Sequence, residues 1–308
     1  MPHVSLRGIH EQDWNMSVYS VATASPSRVL GILRFVLASQ GQCTTRASIE
    51  AMMTPPGWNM DRSEASAGDQ EPGTGRVLLQ PAYKESVRLG LIEEKDKLVR
   101  VGEGVNQKLI SDWRWWPLAL FELIAEPQNE NEDICRAFAW FLAQDVTSVP
   151  ATWVAMQTKN EILSALNMNN ASFGQMQHWA AYLGFGWRCG RGRSVFVFDP
   201  TAHLKLRLSS EFGSKRKEFS ATEFLKHLAR WCPVLDDGAY RRELESQHVL
   251  APLTQGQVAS PLSQALLRLR EEGWIEMSHA SDAKAVLLRA GDEQERVSQI
   301  VWKAGSVA

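Results

Sequence analysis

The sequence predicts a mainly α-helical α+β fold with small β-hairpins, because one local pattern occurs three times along the chain. In each copy a helix-like run ends at a glycine between bulky apolar residues, and two short strand-like segments follow. The glycines are Gly90, Gly184 and Gly273. A glycine just past a helix can adopt the left-handed conformation that ends it, and apolar residues beyond it can begin a strand. Helix, glycine, strand, turn and strand form the second half of a winged helix, so the chain is predicted to hold three tandem winged-helix units joined by helices.

These copies divide the chain into five segments. Residues 1–25 show little periodicity and are predicted to form an N-terminal arm. The segments that follow are winged helix 1 (26–106), a helical connector (107–150), winged helix 2 (151–218) and winged helix 3 (219–308). A small, polar and aperiodic stretch at 58–74 is predicted to be a flexible insertion in the first unit.

Start signals and apolar spacing place the helices of each unit. The third helix of unit one is predicted over 79–89, where Pro81 falls in the first turn and its missing amide costs little. The third helix of unit two is predicted over 172–183, with Asn170 as its cap. The third helix of unit three is predicted over 260–272, followed by two strands, at 274–277 and 285–288.

Composition limits the classes of protein to which the chain can belong. With 308 residues, of which 44% are apolar, the chain can bury a core, and a formal net charge of -2 gives it no global positive field. The four cysteines form no C-x-x-C pair, so neither a zinc ribbon nor a disulfide framework is expected. The sequence contains neither a signal peptide nor an apolar run long enough to cross a bilayer. We therefore expect a soluble cytoplasmic protein without membrane partners, associated with the nucleoid when it binds DNA.

A local basic patch is the strongest indication of nucleic-acid binding. Residues 184–217 carry eight lysines and arginines against two acidic residues, a local net charge of +6. The predicted DNA contacts in this stretch are Arg188, Arg191, Arg193, Lys215, Arg216 and Lys217. Glycines between the arginines let the hairpin tip approach a phosphate backbone, and arginine can also enter a narrow minor groove. The alternative is a solvated hairpin whose charges only keep it soluble.

The third helices of the first two units supply weaker candidates. In unit one, Gln80, Lys84 and Arg88 recur every four residues, which predicts one exposed stripe that could contact base edges and phosphates. In unit two, Gln175 and His178 could contact bases, as could the neighbouring Gln177. In unit three, arginines are offset by adjacent glutamates, which favours a structural or protein-contact role.

Linear motifs of catalysis are missing from the sequence. There is no phosphate-binding G-x-x-x-x-G-K loop, no H-E-x-x-H and no G-x-S-x-G. The seven histidines are dispersed and form no pair at metal-ligand spacing. We therefore expect a protein that is not an enzyme, with no catalytic residue, no metal and no cofactor.

The N-terminal third resembles the winged-helix opening of DpdG-type proteins. The resemblance lies in Ser25-Pro26-Ser27-Arg28-Val29-Leu30, in Gly75-Arg76-Val77 and in the run from Glu85 to Glu94. DpdG-type proteins belong to bacterial gene islands that place 7-deazaguanine derivatives in DNA and restrict foreign DNA. The resemblance implies an accessory protein of a multi-protein antiphage system, with no catalytic residues to carry over.

Three functions fit these observations. The main hypothesis is a non-catalytic tandem winged-helix protein that binds double-stranded DNA and positions other proteins of a defence complex on it. A second is a protein-contact scaffold like the tandem winged-helix subunits that clasp the kleisin of chromosome-organising complexes. A third is a transcriptional repressor, which would typically be a homodimer on a paired site. The arrangement of the three units stays open between an extended arc and a compact cluster.

Overall fold

Helices and small antiparallel sheets alternate along the chain, as the computed structural model shows for residues 24–54, 74–126, 132–190, 195–291 and 293–303. This confirms the predicted α+β class. Residues 1–23 of the predicted arm, and the predicted insertion up to residue 73, lie outside the described residues. Within the described residues, no helix combines the length and the apolar character that crossing a membrane requires.

The first part contains three helices and a three-stranded sheet. Its elements are α1 (Pro26–Ala38), β1 (Cys43–Thr45), α2 (Arg46–Met53), α3 (Thr74–Arg88), β2 (Ile92–Lys95) and β3 (Leu98–Val101). The strand β3 lies in the middle of the sheet and pairs antiparallel with both β1 and β2. A proline at the first position starts α1, whose apolar face then packs against α2 and α3.

Helix α3 begins five residues earlier than the sequence predicts. Pro81 therefore lies inside the helix and not in its first turn. A proline at this position removes one backbone hydrogen bond. The helix continues through it because Leu79, Ala82 and Tyr83 are buried on the side that faces the core, and this packing outweighs the local preference.

Two apolar helices form the middle of the molecule. After the short α4 (Gln107–Ile110), the chain forms α5 (Trp116–Ala125) and α6 (Glu132–Ala143). Helix α6 is apolar almost all round, and it is buried because α5, α9, α12 and α13 all pack against it. Trp116 is also buried, and its indole donates to the carbonyl of Ile110 (3.0 Å), whereas Trp113 is 73% exposed.

The second part is built around one long helix. Its elements are α7 (Trp153–Met156), α8 (Asn160–Ala165), α9 (Asn170–Leu183), β4 (Gly186–Cys189) and β5 (Val195–Phe198). The cap of α9 is Asn169 and not Asn170, because the Asn169 side chain accepts from the amide of Ser172 and the Ser172 hydroxyl accepts from the amide of Asn169. Gly184 ends α9 with a left-handed φ of 83°.

A helix that the sequence analysis did not predict follows β5. Helix α10 (Thr201–Phe212) lies within the basic segment 184–217, for which the sequence analysis predicts no helix. Leu204 and Leu208 are fully buried in α10, which packs between α5 and α13. The charged residues of this segment alternate along the helix with an apolar face that is buried.

The third part differs most from the predicted pattern. Its elements are β6 (Lys217–Ser220), α11 (Ala221–Trp231), α12 (Ala239–Ser246), α13 (Ser260–Glu271), β7 (Ile275–Ser278), β8 (Val286–Ala290), β9 (Glu293–Val297) and β10 (Gln299–Trp302). The two strands that the repeat predicted do not pair with each other. Strand β7 pairs with β10, and β8 pairs with β9. The boundary predicted after residue 218 falls inside β6, which pairs with β10.

One hydrophobic core runs through all these parts. Its buried side chains come from the helices of all three parts and from α5 and α6 between them. At the centre, Phe185 stacks on His203 (ring centroids 4.1 Å apart) and meets Phe121 edge-on (5.0 Å). These rings belong to the start of β4, to α10 and to α5. The parts therefore form a compact cluster and not an extended arc.

Candidate nucleic-acid interface

Gln80, a predicted base contact on α3, is engaged by the neighbouring helix. Arg46 on α2 donates from Nη2 to the Gln80 Oε1 (2.6 Å), and Gln80 Nε2 donates to Glu50 Oε1 (3.2 Å). Arg46 also lies over the ring of Tyr83, 4.8 Å from its centroid. Gln80 therefore helps to hold α2 against α3 and is not an exposed group.

Arg88, the third residue of the same predicted stripe, is also occupied. Its guanidinium pairs with Glu85, with 2.5 Å between Nη2 and Oε1. The Glu85 side chain is only 3% exposed and that of Arg88 is 18% exposed. Burial raises the pKa of Glu85, and the hydrogen bond and charge of Arg88 oppose that rise. The prediction of one exposed stripe is wrong, because only Lys84 of the three is exposed.

The hairpin of the first part has nearly balanced charge. Its exposed basic residues are Lys95, Lys97 and Arg100, and acidic residues lie beside them on the same two strands. Asp96 and Lys97 adopt positive φ angles, which form the tight turn between β2 and β3. This hairpin can approach a phosphate backbone, but its charge favours that contact only weakly.

On α9 the predicted contacts separate into buried and exposed residues. Gln175 is 4% exposed and Gln177 is 6% exposed, so both side chains face the core and leave little surface for the predicted contact with bases. Helix α9 packs against α1, α5 and α6, and this covers more of its surface than the apolar spacing indicated. His178 is exposed.

His178 and Arg188 are exposed residues on two packed elements of the second part. His178 comes from α9 and Arg188 from β4. Partial burial and the positive charge of Arg188 lower the pKa of His178, so its imidazole is neutral at pH 7 and can both donate and accept hydrogen bonds. Arg191 and Arg193 belong to the connection between β4 and β5, which lies outside the described residues.

Three basic residues of the +6 segment form ion pairs with acids of the fold. Lys205 pairs with Glu272, and its ammonium lies over the ring of Trp274. The buried guanidinium of Arg207 contacts Glu122 of α5 (2.9 Å) and Glu211 (3.4 Å). A third pair joins Arg216 to Glu276, at 3.7 Å between Nη2 and Oε2.

Helix α10 also divides the predicted patch into two clusters. At 1.5 Å per residue, its 12 residues span about 18 Å. Arg188 precedes this helix in the sequence and Lys215 follows it. Lys215, Arg216 and Lys217 are exposed at the start of β6. The predicted basic segment is therefore not one continuous wing, because a 12-residue helix separates its two groups of contacts along the chain.

The third helix of the third part uses its arginines in ion pairs. Arg268 pairs with Asp199, which also accepts a hydrogen bond from the Trp187 indole (3.3 Å). Arg270 pairs with Glu295 of β9 at 2.5 Å. These contacts join α13 to its neighbours, in keeping with the structural role that the sequence favoured.

The described residues contain no group of three His, Cys, Asp or Glu side chains that could hold a metal ion. His203 is fully buried, which lowers its pKa to about 3 and keeps its ring neutral, and its Nδ1 lies 2.8 Å from the carbonyl oxygen of Leu183. Burial raises the pKa values of Cys135 and Cys232 to about 12, so both are neutral thiols. These groups are part of the core.

The fold and this surface define an α+β protein with small antiparallel sheets and exposed basic residues at Arg188 and at 215–217. The model of the DpdG-like family matches residues 16–283, and the chain belongs to the DpdG-like family. This confirms the resemblance found in the N-terminal third and extends it over most of the chain. A search of curated proteins and a search of solved structures found no match.

Proposed function

We propose that this DpdG-like protein binds double-stranded DNA, catalyses no reaction, and positions partner proteins of a bacterial defence system on the DNA. The observation that carries the proposal is that His178 of α9 and Arg188 of β4 are both exposed. The sequence adds Arg191 and Arg193 within five residues of Arg188, and arginine and a neutral histidine both donate hydrogen bonds to phosphates. Lys84 adds a further cation on α3.

The element order supports a winged-helix interpretation of the first two parts. In residues 26–101 the order is α1, β1, α2, α3, β2, β3 with β3 central, and the second part ends in a helix, a left-handed glycine and a hairpin. The third part keeps this order when α10 is taken as its first helix, because β6, α11, α13, β7 and β10 follow with β10 central; it adds α12 and the β8–β9 hairpin. We assign DNA contact to the first two parts because the arginines of α13 are engaged in ion pairs.

The proposed contact set is smaller than the sequence indicated. It keeps Lys84, His178 and the three wing arginines, with Lys215 and Lys217 as a second cluster. Gln80, Arg88 and Gln175 support the fold from within. Because the remaining groups are mostly cations, the proposed binding is to phosphates and depends little on base sequence.

A protein-contact scaffold is the second candidate. The ion pairs that occupy Lys205, Arg207 and Arg216 favour it, because they remove three charges from the basic segment. In this alternative the exposed arginines would bind an acidic protein surface instead of DNA.

The test is fluorescence anisotropy with a labelled random-sequence duplex at several salt concentrations. The variant is Arg188→Ala/Arg191→Ala/Arg193→Ala, and the matched control is Lys226→Ala/Arg242→Ala/Arg296→Ala, which removes three exposed cations elsewhere. If the wing arginines contact phosphates, the slope of log affinity against log salt flattens by about 2.7, or 0.9 for each contact. Equal slopes for the wild type and the wing variant would remove the wing from the proposal. Absence of binding at low salt would favour the scaffold.

A further inference from the structure

A groove of about 1000 Å³ lies between the first part and the middle of the molecule. Its walls are the end of α3 with β2, the loop after β3, helix α5, and the C-terminal end of α11. This volume is at the upper end of the range of about 300–1000 Å³ for ligand pockets. The groove is therefore large enough for several residues of an extended peptide.

The floor of the groove is apolar and partly open to solvent. Val87 is 39% exposed, an unusual degree for a large apolar side chain in this protein. Leu123 of α5 and Trp231 of α11 are partly buried and line the same groove. Covering these side chains would remove apolar surface from water, which is the general driving force of association.

The rim of the groove is acidic. Five glutamates line it, and Arg230 is the single cation among its lining residues in the described parts of the chain. Glu122 is neutralised by Arg207, and Glu93 faces Arg100 on the adjacent strand. Glu94, Glu103 and Glu126 are exposed acids of the rim, and the hydroxyl of Tyr83 donates to Glu94 (2.7 Å) without cancelling its charge.

The charges of this chain's own remaining segments do not match the rim. Residues 1–23 contain one arginine and two acids, and residues 55–73 contain one arginine and four acids. Residues 304–308 carry no charged side chain. Residues 191–194 contain two arginines, and the strands before and after them, β4 and β5, pair with each other. Charge complementarity therefore favours an occupant from outside the chain, and repulsion by the rim excludes DNA.

We propose that this groove binds a basic segment of a partner protein. Lysines or arginines of the segment pair with Glu94, Glu103 and Glu126, and an apolar side chain of the segment covers Val87, Leu123 and Trp231. This proposal does not rest on DNA binding. It places the partner beside the β2–β3 hairpin of the first part.

The probe is a fluorescein-labelled peptide of lysines with interspersed leucines, and its anisotropy is measured at low and moderate salt. The groove variant is Glu94→Gln/Glu103→Gln/Glu126→Gln, which keeps side-chain size and the acceptor for Tyr83. The matched control, Glu161→Gln/Glu271→Gln/Glu293→Gln, removes three exposed acids elsewhere. We expect the groove variant to bind the peptide at least tenfold more weakly, and the control to stay within twofold of the wild type.

A second variant, Val87→Lys, tests the floor, because a cation there repels the basic peptide and displaces its apolar side chain. Val87→Lys should also weaken binding of the peptide. The triple glutamine variant and Val87→Lys should both keep the duplex affinity and the melting temperature of the wild type. If the groove variant and the control variant lose equal peptide affinity, the attraction is a non-specific one to an acidic protein, and the proposal is overturned. The proposal is also overturned if the wild-type protein is a dimer that the groove variant converts to a monomer, because the occupant would then be a second copy of this chain.

Discussion

Replacing Arg88 by methionine should destabilise the protein without weakening DNA binding. The side chain of Glu85 is 3% exposed and pairs with Arg88 at 2.5 Å, so the variant leaves a buried carboxylate without this partner. Breaking a buried ion pair by removing one partner costs about 3 kcal/mol, and for a chain of this size that corresponds to a melting temperature lower by about 6–12 °C. Methionine keeps most of the apolar stem of arginine, so the effect reports mainly the lost charge.

The loss should depend on pH in a defined direction. Burial raises the pKa of Glu85 in the folded chain above its unfolded value. The stability contributed by protonating this group is fully present below the unfolded-state pKa and is lost as the pH rises through the folded-state pKa. Removing Arg88 raises the folded-state pKa further, because the charge that opposed the rise is gone. The destabilisation should therefore be larger at pH 8 than at pH 5.

Thermal unfolding followed by circular dichroism, at pH 5 and pH 8, measures this effect. The control is Lys84→Met, an exposed neighbour that should change the free energy of unfolding by no more than about 0.5 kcal/mol. The double variant Glu85→Gln/Arg88→Met should recover most of the lost stability, because no carboxylate remains buried. An unchanged melting temperature combined with weaker duplex binding would refute this account and return Arg88 to the DNA surface.

Two further outcomes follow from the structure. Gly184 and Gly273 both have left-handed φ angles (83° and 77°), but a Cβ at Gly184 would meet the backbone nitrogen of His203 at 2.7 Å, whereas a Cβ at Gly273 meets nothing within 4 Å. In chemical denaturation, Gly184→Ala should therefore lower the free energy of unfolding by about 2–5 kcal/mol, and Gly273→Ala should lower it by about 1–2 kcal/mol. Equal losses of stability in the two variants would contradict the described packing. A thiol reagent at pH 8 should label the partly exposed Cys43 and Cys189 quickly in the native protein, and all four cysteines after unfolding. Cys135 and Cys232 should react slowly in the native protein because burial keeps their thiols protonated. Fast labelling of all four thiols in the native protein would contradict this burial.

Features that depend on a few neighbouring residues could be predicted from the sequence. Gly90, Gly184 and Gly273 all adopt the left-handed conformation that the pattern predicts. Proline also lies at the start of α1 and of α13, a position that it favours in helices. The preference of such a residue for one backbone conformation is intrinsic, so no distant contact is needed to predict it.

Strand pairing in the third part could not be predicted in this way. The sequence contains the strand-like runs of β7 and β8, but each has another possible partner further along the chain. The β8–β9 hairpin turns at Gly291, and β10 then reaches β7 and β6. Register and partner choice depend on which faces the core covers, and α13 packs against both β7 and β8.

In the candidate site too, the sequence showed which charged residues are present but not which of them are paired. Counting residues 184–217 gave a basic patch, but the acids that neutralise Lys205 and Arg207 come from α13 and α5. Similarly, the acidic rim of the groove joins residues from β2, the loop after β3 and α5, and no local window of sequence contains them together. The sequence signal from which α10 could have been predicted is the spacing of Leu204 and Leu208, which lie four residues apart and are both buried in the fold.

The sequence by itself determined the α+β class, the glycine-ended helices and membership of the DpdG-like family, because each depends on local conformational preference or on the order of residues. Only the tertiary structure decided which charges remain exposed. Arg207 and Lys205 both belong to the basic segment of the sequence, yet each is paired in the fold with an acid that is distant in the sequence. The physical reason is that an ion pair requires proximity in space, and helix packing brings together groups that are far apart along the chain.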